Sequence, residues 1–245
     1  MKIQFIFLIL LFYSLNVHAE VIASGNDCGE NCSWSITDEG VLNVTGTGKI
    51  KDFPADGNGK APWQEYKNMV TTINVGKGIT FVGHYGFVYM REATSVSLPE
   101  GLVYIGIGAF EQMSKLQEIN IPDSVGTIES FAFSRSSANM NSLIIPDSVT
   151  SLSNQAFINM SSKTEIYCSV SKKSLCEKAL KNVGKDPSLL KTYEKTGGQY
   201  LYNNKFYSSL SDIGNGNYSK KRIYTIEEAS RLSRSSGNTI KIKYK

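Results

Sequence analysis

The sequence is poor in histidine, the residue on which most general acid–base and nucleophilic catalysis depends. It holds two histidines in 245 residues, and His18 lies in an N-terminal segment with the features of a secretion signal. His84 would have to serve alone in any Ser–His or Cys–His arrangement, and a loop residue is the simpler interpretation. We therefore predict that the protein is not an enzyme.

Other catalytic and cofactor patterns are also missing. The acidic pair Asp38/Glu39 resembles the two carboxylates of a glycosidase, but neighbouring strand residues point to opposite faces. The pair Glu227/Glu228 falls in the first turn of a predicted helix, where it complements the helix dipole. Gly46-Thr47-Gly48 lacks the third glycine and the helix of a nucleotide-binding fingerprint. We predict no cofactor, no metal and no nucleic-acid partner.

Long apolar runs are absent after the N-terminal segment. The run over residues 3–15 follows Met1-Lys2 and precedes Val17-His18-Ala19, an order that is typical of a signal peptide. A membrane anchor is the alternative, but the run is shorter than the roughly 20 apolar residues that span a bilayer. We predict a signal peptide over residues 1–19, a secreted or cell-surface location, and no transmembrane segment in the mature chain.

Charge is unevenly distributed along the chain. Residues 20–170 hold 9 Lys/Arg against 16 Asp/Glu, whereas residues 171–245 hold 16 against 6. Such an acidic body with a basic tail predicts electrostatic contact of the tail with an anionic surface. Solvated charge on helices and on an edge strand explains the same pattern equally well.

A pattern that recurs every 23 or 24 residues organises the middle of the chain. A small residue followed by phenylalanine occurs at Gly86-Phe87, Ala109-Phe110, Ala132-Phe133 and Ala156-Phe157. A fixed period of this length is typical of a solenoid, in which each repeat buries its apolar face by stacking on its neighbours. The four phenylalanines are predicted to form a buried spine.

Each repeat contains two short strand patterns. The first is an apolar residue, two polar residues and an apolar–x–apolar triplet, which ends at Gly76, Pro99, Pro122 or Pro146. The second is an apolar pair, found as Ile79/Val82, Leu102/Ile105, Val125/Ile128 and Val149/Leu152. We therefore predict a mainly β solenoid of 23-residue coils over residues 70–168.

The four cysteines form two pairs that are close in sequence, Cys28/Cys32 and Cys168/Cys176. Export makes disulfides plausible. Four or five coils at about 4.8 Å each separate the pairs by roughly 20 Å, whereas a disulfide needs Cα atoms within about 7 Å. Of the three connectivities, only the two local bridges fit. A zinc site is the alternative, but the same separation keeps the four thiols from converging.

The repeats resemble the BspA-like leucine-rich repeat family, whose consensus runs close to L-x-x-I-x-I-P-x-S-V-T-x-I-x-x-x-A-F. Ile121-Pro122-Asp123-Ser124-Val125 and Ile145-Pro146-Asp147-Ser148-Val149-Thr150 match it nearly residue for residue. The first coil departs from it, with Gly76 in place of proline and Gly86 in place of alanine. The resemblance implies a bacterial surface or secreted protein that contacts host or neighbouring-cell proteins or glycans.

The end coils of a solenoid need covers for their apolar faces. Residues 20–69, with alternating apolar residues around Val41 to Thr45, are predicted to form an N-terminal β cap. Ile166-Tyr167-Cys168 is predicted as the final strand, and residues 169–198 as a helical C-terminal cap with its helix from Ser171 to Asn182. Residues 199–245 are predicted to form a basic ββαβ-like tail, with a hairpin at Asn203-Asn204, a helix from Thr225 and a terminal strand from Thr239.

Exposed aromatic residues are the remaining signal. Phe81 and Tyr104 occupy outward positions one coil apart and should stack, with Tyr85 and Phe131 nearby. Exposed neighbouring aromatic rings can bind sugar rings or a partner protein. The alternative is that two of them fold over the coil edge as part of the core.

These observations predict an exported leucine-rich repeat module for binding or adhesion, with Phe81, Tyr104, Tyr85 and Phe131 as ligand-binding residues. The alternative function is that of a structural cell-envelope protein, held at an anionic surface by its basic C-terminal tail.

Overall fold

The computed structural model describes residues 19–55, 60–136, 140–184, 186, 190–196, 199–202 and 205–207. Within these residues, one α-helix, α1 (Lys173–Asn182), and two short 3-10 helices at Pro62–Tyr66 and Val170–Lys172 accompany the strands. In chain order the strands are β1 Val21–Gly25, β2 Asn31–Thr37, β3 Val41–Lys49, β4 Thr72–Val75, β5 Ile79–Val82, β6 Ser95–Ser97, β7 Tyr104–Ile105, β8 Glu118–Ile119, β9 Thr127–Ile128, β10 Ser142–Ile145, β11 Ser151–Leu152, β12 Glu165–Ser169, β13 Leu190–Thr196, β14 Gln199–Tyr202 and β15 Lys205–Tyr207. Apart from Ala19, the predicted signal peptide lies outside the described residues.

Two ladders of parallel strands form the solenoid. One ladder runs β3–β4–β6–β8 and the other β3–β5–β7–β9–β11, so the first three coils each contribute one strand to both. The apolar pairs predicted for the second strand are buried in every coil. The mainly β solenoid predicted from the 23-residue period is confirmed.

Strand β3 begins both ladders because it bends in the middle. Its first half pairs with β4, whereas Gly48 and Lys49 pair with β5. Gly46 lies at the bend with φ 119°, a conformation that side chains with a Cβ rarely adopt. β1 and β2 continue the sheet from β3 in antiparallel order, so the first coil has a neighbour on its N-terminal side.

The phenylalanine spine is continuous and extends further than the repeats alone indicate. Phe87, Phe110, Phe133 and Phe157 are fully buried, and successive ring centroids lie 5.7, 5.6 and 6.3 Å apart in stacked arrangements. Trp63 adds a fifth ring, 5.3 Å from Phe87, and its indole N–H donates to the carbonyl of Gly86 at 2.8 Å. The spine therefore joins the N-terminal segment to the last of these coils.

Hydrogen bonds between coils explain two consensus positions. The amides of Phe87, Phe110 and Phe133 each donate to the carbonyl of the alanine that precedes the next phenylalanine, at 2.9 Å. The hydroxyls of Ser124 and Ser148 donate to Leu102 and Val125 in the preceding coil, at 2.8 and 2.7 Å. Each coil thus satisfies polar groups of its neighbour, which a buried backbone requires.

Both cysteine pairs form the predicted local disulfides. The Cα atoms lie 5.3 Å apart in Cys28–Cys32 and 6.6 Å apart in Cys168–Cys176. The first bridge closes the turn before β2, and the second joins β12 to α1.

The region after β12 differs from the prediction. Strand β12 is not the final strand, because β13 pairs with it in parallel and buries Tyr193, whose hydroxyl donates to the carbonyl of Ile145 at 2.9 Å. The predicted C-terminal cap region, residues 169–198, therefore contains a strand of the sheet as well as helix α1. β14 and β15 follow as an antiparallel hairpin, as the tail pattern predicted. The predicted tail helix and terminal strand lie outside the described residues.

The spine provides a test of the stacking. Phe110→Ala should lower the free energy of unfolding by about 3–5 kcal/mol, because it empties a buried aromatic site. Phe81→Ala is the matched control: this ring is 36% exposed, so its loss should cost less than about 1 kcal/mol. Denaturant unfolding measures both, and hydrogen exchange should show the damage spreading to the coils on either side. Equal stabilities for the two variants would contradict a buried spine.

Candidate functional site

The outer face of the second ladder carries a column of residues in direct register. Lys49, Phe81, Tyr104, Thr127 and Ser151 pair in turn along the parallel strands. After Phe81, Tyr104, Thr127 and Ser151, the next residue in each strand is the buried second member of the apolar pair, namely Val82, Ile105, Ile128 or Leu152. Because side chains alternate between the faces of a strand, this column points away from the core.

Two rings of this column stack, as predicted. The centroids of Phe81 and Tyr104 lie 5.4 Å apart, with the ring planes tilted by 33°. His84 adds a third ring, 6.5 Å from Tyr104 with an interplanar angle of 30°. We call Phe81, Tyr104 and His84 the aromatic platform.

The Tyr104 hydroxyl connects the platform to a carboxylate. It lies 3.3 Å from Nε2 of His84 and donates to Oε1 of Glu129, also at 3.3 Å. Burial raises the pKa of Tyr104, and the negative charge of Glu129 raises it further. Tyr104 therefore stays protonated at neutral pH, and the platform ends in a neutral hydroxyl beside an acceptor.

Asp52 fixes the other end of the platform. Its Oδ1 accepts the backbone N–H of His84 at 2.8 Å, and its Oδ2 accepts from Lys49 at 2.6 Å. Partial burial acts to raise the pKa of Asp52, but these hydrogen bonds outweigh it, so the pKa of Asp52 lies below its ordinary value. The carboxylate is thus charged at neutral pH and holds the His84 backbone in place.

Tyr85 and Phe131 lie apart from the platform rings. Among the described residues, neither has a ring contact with Phe81 or Tyr104. Both occupy left-handed backbone positions, with φ 54° and 61°, and Gly108 holds the equivalent position between them with φ 59°. A Cβ on Gly108 would lie 2.5 Å from Cε1 of Tyr85, so the ring of Tyr85 needs glycine there.

A second set of left-handed residues lies four positions further along each coil. Tyr89, Gln112, Arg135 and Asn159 have φ values of 63°, 60°, 52° and 56°. An L-residue with a side chain pays roughly 1–2 kcal/mol for this conformation. Both left-handed positions of the first coil therefore hold tyrosines where glycine would be less strained.

His84 and Glu129 are members of the site that the sequence analysis missed. His84 was interpreted as a loop residue, and Glu129 was not considered. The 23-residue period aligns residues within one column, but the Tyr104 side chain reaches across columns to both of them. The available signal was the position of His84, a rare residue type in this chain, three residues after Phe81 and directly before Tyr85.

The described part of the chain also bears on metal binding and on membrane insertion. It contains no group of three or more His, Cys, Asp or Glu residues placed to hold a metal ion. Nor does any helix there have the length and apolar character needed to cross a membrane.

Comparison with solved structures finds bacterial leucine-rich repeat proteins. A protein from Eubacterium ventriosum is 22% identical with a TM-score of 0.48, over 74% of this chain and 49% of that one. A protein from Bacteroides ovatus is 16% identical with a TM-score of 0.45, over 74% and 43%. A leucine-rich cell surface protein from Faecalibacterium prausnitzii is 15% identical with a TM-score of 0.33, over 76% and 61%. The chain thus spans about half of the first two structures, and no curated protein matches it.

The family comparison covers the repeats directly. The model of the BspA-type leucine-rich repeat region matches residues 80–209 in six copies, past residue 168 where the sequence analysis ended the solenoid. Because this match extends over more than half of the chain, the protein belongs to the BspA-type leucine-rich repeat family.

Proposed function

We propose that the protein is an exported, non-catalytic module for binding or adhesion, and that its ligands are proteins or glycans of a host or a neighbouring cell. Family membership supports a binding or structural role in general. The observation that carries the specific proposal is the aromatic platform, since Phe81 is 36% exposed and lies against Tyr104 on an outward face.

The chemistry of the platform suits recognition better than catalysis. Exposed rings bind the apolar faces of sugars or the side chains of a partner. Glu129 and the Tyr104 hydroxyl supply an acceptor and a polar group at the edge of the rings, where a ligand hydroxyl or amide can bond. Tyr85 and Phe131 remain predicted contributors to a wider ligand surface.

Replacing the two rings should separate binding from folding. Phe81→Ser together with Tyr104→Ser should leave the melting temperature nearly unchanged, because both side chains lie outside the core. It should weaken binding by roughly 1–2 kcal/mol for each ring that anchors a contact. The measurement is adhesion of the purified mature protein to a panel of immobilised glycans and extracellular proteins, followed by melting curves.

The matched control uses the same column one and two coils further on. Thr127→Ala together with Ser151→Ala changes two outward positions that carry no ring, so adhesion should persist. A drop of several degrees in melting temperature for the Phe81/Tyr104 variant would instead favour a core role for these rings. Unchanged adhesion would move the search to the polar column of Asn74, Ser97 and Asn120.

A structural role in the cell envelope is the second candidate. The observation that favours it is the balance of 16 basic against 6 acidic residues after residue 170, which suits an anionic surface. Fractionated cells should then release the protein when washed with high salt, because salt screens exposed charges beyond about 10 Å at 0.1 M and closer at higher salt. Retention on the surface in high salt would count against this candidate.

Export requires removal of the predicted signal peptide, and the first strand is compatible with cleavage after Ala19. The backbone nitrogen of Glu20 lies 2.9 Å from Oδ1 of Asp38, and the Asp38 amide donates to the Glu20 carbonyl at 2.9 Å. Cleavage would turn that nitrogen into an ammonium group facing a carboxylate, and β1 would stay whole. We expect mass spectrometry of the secreted protein to find Glu20 as the first residue. An N-terminus inside β1 would contradict the proposed site.

A further inference from the structure

A pocket opens between the N-terminal segment and the first coil, and none of the platform residues Phe81, Tyr104 and His84 lines it. Its volume is about 110 Å³, room for one ring-sized group rather than for a protein loop. Phe53 and Val88 give it an apolar floor, and Tyr85, Tyr89, Lys60 and Lys67 line it. Gln64 donates its side-chain amide to the Val88 carbonyl and so fixes the wall between the two segments.

The charge of this pocket is opposite to that of its surroundings. Residues 20–170 carry 9 basic and 16 acidic residues, yet two of the nine basic residues, and none of the acidic residues that the structure describes, line this pocket. Lys60 and Lys67 are exposed, and neither forms an ion pair with another described residue. The guanidinium of Arg91 adds positive charge nearby, 5.6 Å from the ring of Tyr89. The carboxylate of Glu111 lies near Tyr85 but is not part of the pocket lining, so the two lysines supply the charge of the lining and favour an anionic ligand.

The two tyrosines are held at the pocket in spite of backbone strain. Tyr85 and Tyr89 both adopt left-handed conformations, with φ 54° and 63°. The later coils are also left-handed at the Tyr89 position and have Gln112, Arg135 and Asn159 there, so the repeat does not require an aromatic residue at that position. The rings thus point to a ligand with a face that packs against aromatic surface.

We propose that this pocket binds a pyranose ring that carries a carboxylate, such as a uronic acid unit of an acidic polysaccharide. The lysines pair with the carboxylate, and the tyrosines pack against the C–H face of the ring and bond its hydroxyls. None of the three platform residues lines this pocket, so variants of Phe81 and Tyr104 test the platform and variants of Lys67 and Tyr89 test the pocket.

The test titrates the mature protein with methyl β-D-glucuronide and follows saturable binding by calorimetry and amide chemical shifts. Methyl β-D-glucoside, which has the same ring without the charge, should bind at least roughly fivefold more weakly. Raising the salt concentration should weaken binding of the glucuronide but not binding of the glucoside.

Three variants make the test specific. Lys67→Gln removes one charge from the pocket, and Tyr89→Gln installs the side chain that the next coil carries at this left-handed position, so both should fold. Each should weaken glucuronide binding roughly fivefold or more. Lys77→Gln, an exposed lysine outside the pocket, is the matched control and should bind as the unmodified protein does. The Phe81→Ser/Tyr104→Ser variant should also bind glucuronide normally.

Several outcomes would overturn the proposal. Equal binding of glucoside and glucuronide would show that the charge is not recognised. Equal binding of N-acetylglutamate would show that a carboxylate suffices without a sugar ring, as an acidic peptide would supply. The proposal would also be wrong if glucuronide showed no saturable binding at millimolar concentration. It would equally be wrong if the Lys67 and Tyr89 variants bound glucuronide as the unmodified protein does.

Discussion

The stacking of one aromatic ring per coil is the interaction on which the rest of the structure depends. From Trp63 to Phe157, five rings lie within 5.3–6.3 Å of their neighbours, and the backbone amides of the first three phenylalanines donate to the next coil. A coil of 23 residues cannot bury such a ring alone, so each is stable only between neighbours. The rings and the hydrogen bonds beside them hold successive coils in one register. Residues at the same position of each coil therefore line up in columns on the outer face.

That register leaves the outer positions free to vary. The column that holds Phe81 and Tyr104 continues as Thr127 and Ser151 with no change in strand pairing. The repeat therefore does not require an aromatic residue at the position that Phe81 and Tyr104 occupy. The same reasoning applies to Tyr89, whose equivalents are Gln112, Arg135 and Asn159. The proposed function rests on positions of this kind, where the residue differs from those in the other coils.

The sequence allowed the columns to be predicted, but not the contacts that cross them. The repeat period predicted that Phe81 lies beside Tyr104 and that the four phenylalanines are buried, and both are observed. This works because residues one period apart in sequence lie one coil apart in the solenoid. The period did not predict that His84 and Glu129, which belong to other columns, contact the Tyr104 hydroxyl. Nor did it predict β13, since that strand lacks the proline and phenylalanine that marked the other coils. Gly108 was the one clue to the direction of Tyr85, because a glycine at that position makes room for the neighbouring ring.

The first coil combines the weakest consensus match with the greatest number of exposed aromatic residues. Gly76 and Gly86 replace the proline and alanine of the later coils, yet the coil is held on both sides, by β3 and Trp63 before it and by the second coil after it. Support from the N-terminal segment compensates for the missing consensus residues. A coil supported in this way can carry Phe81 on its ladder face and Tyr85 and Tyr89 on its turn face.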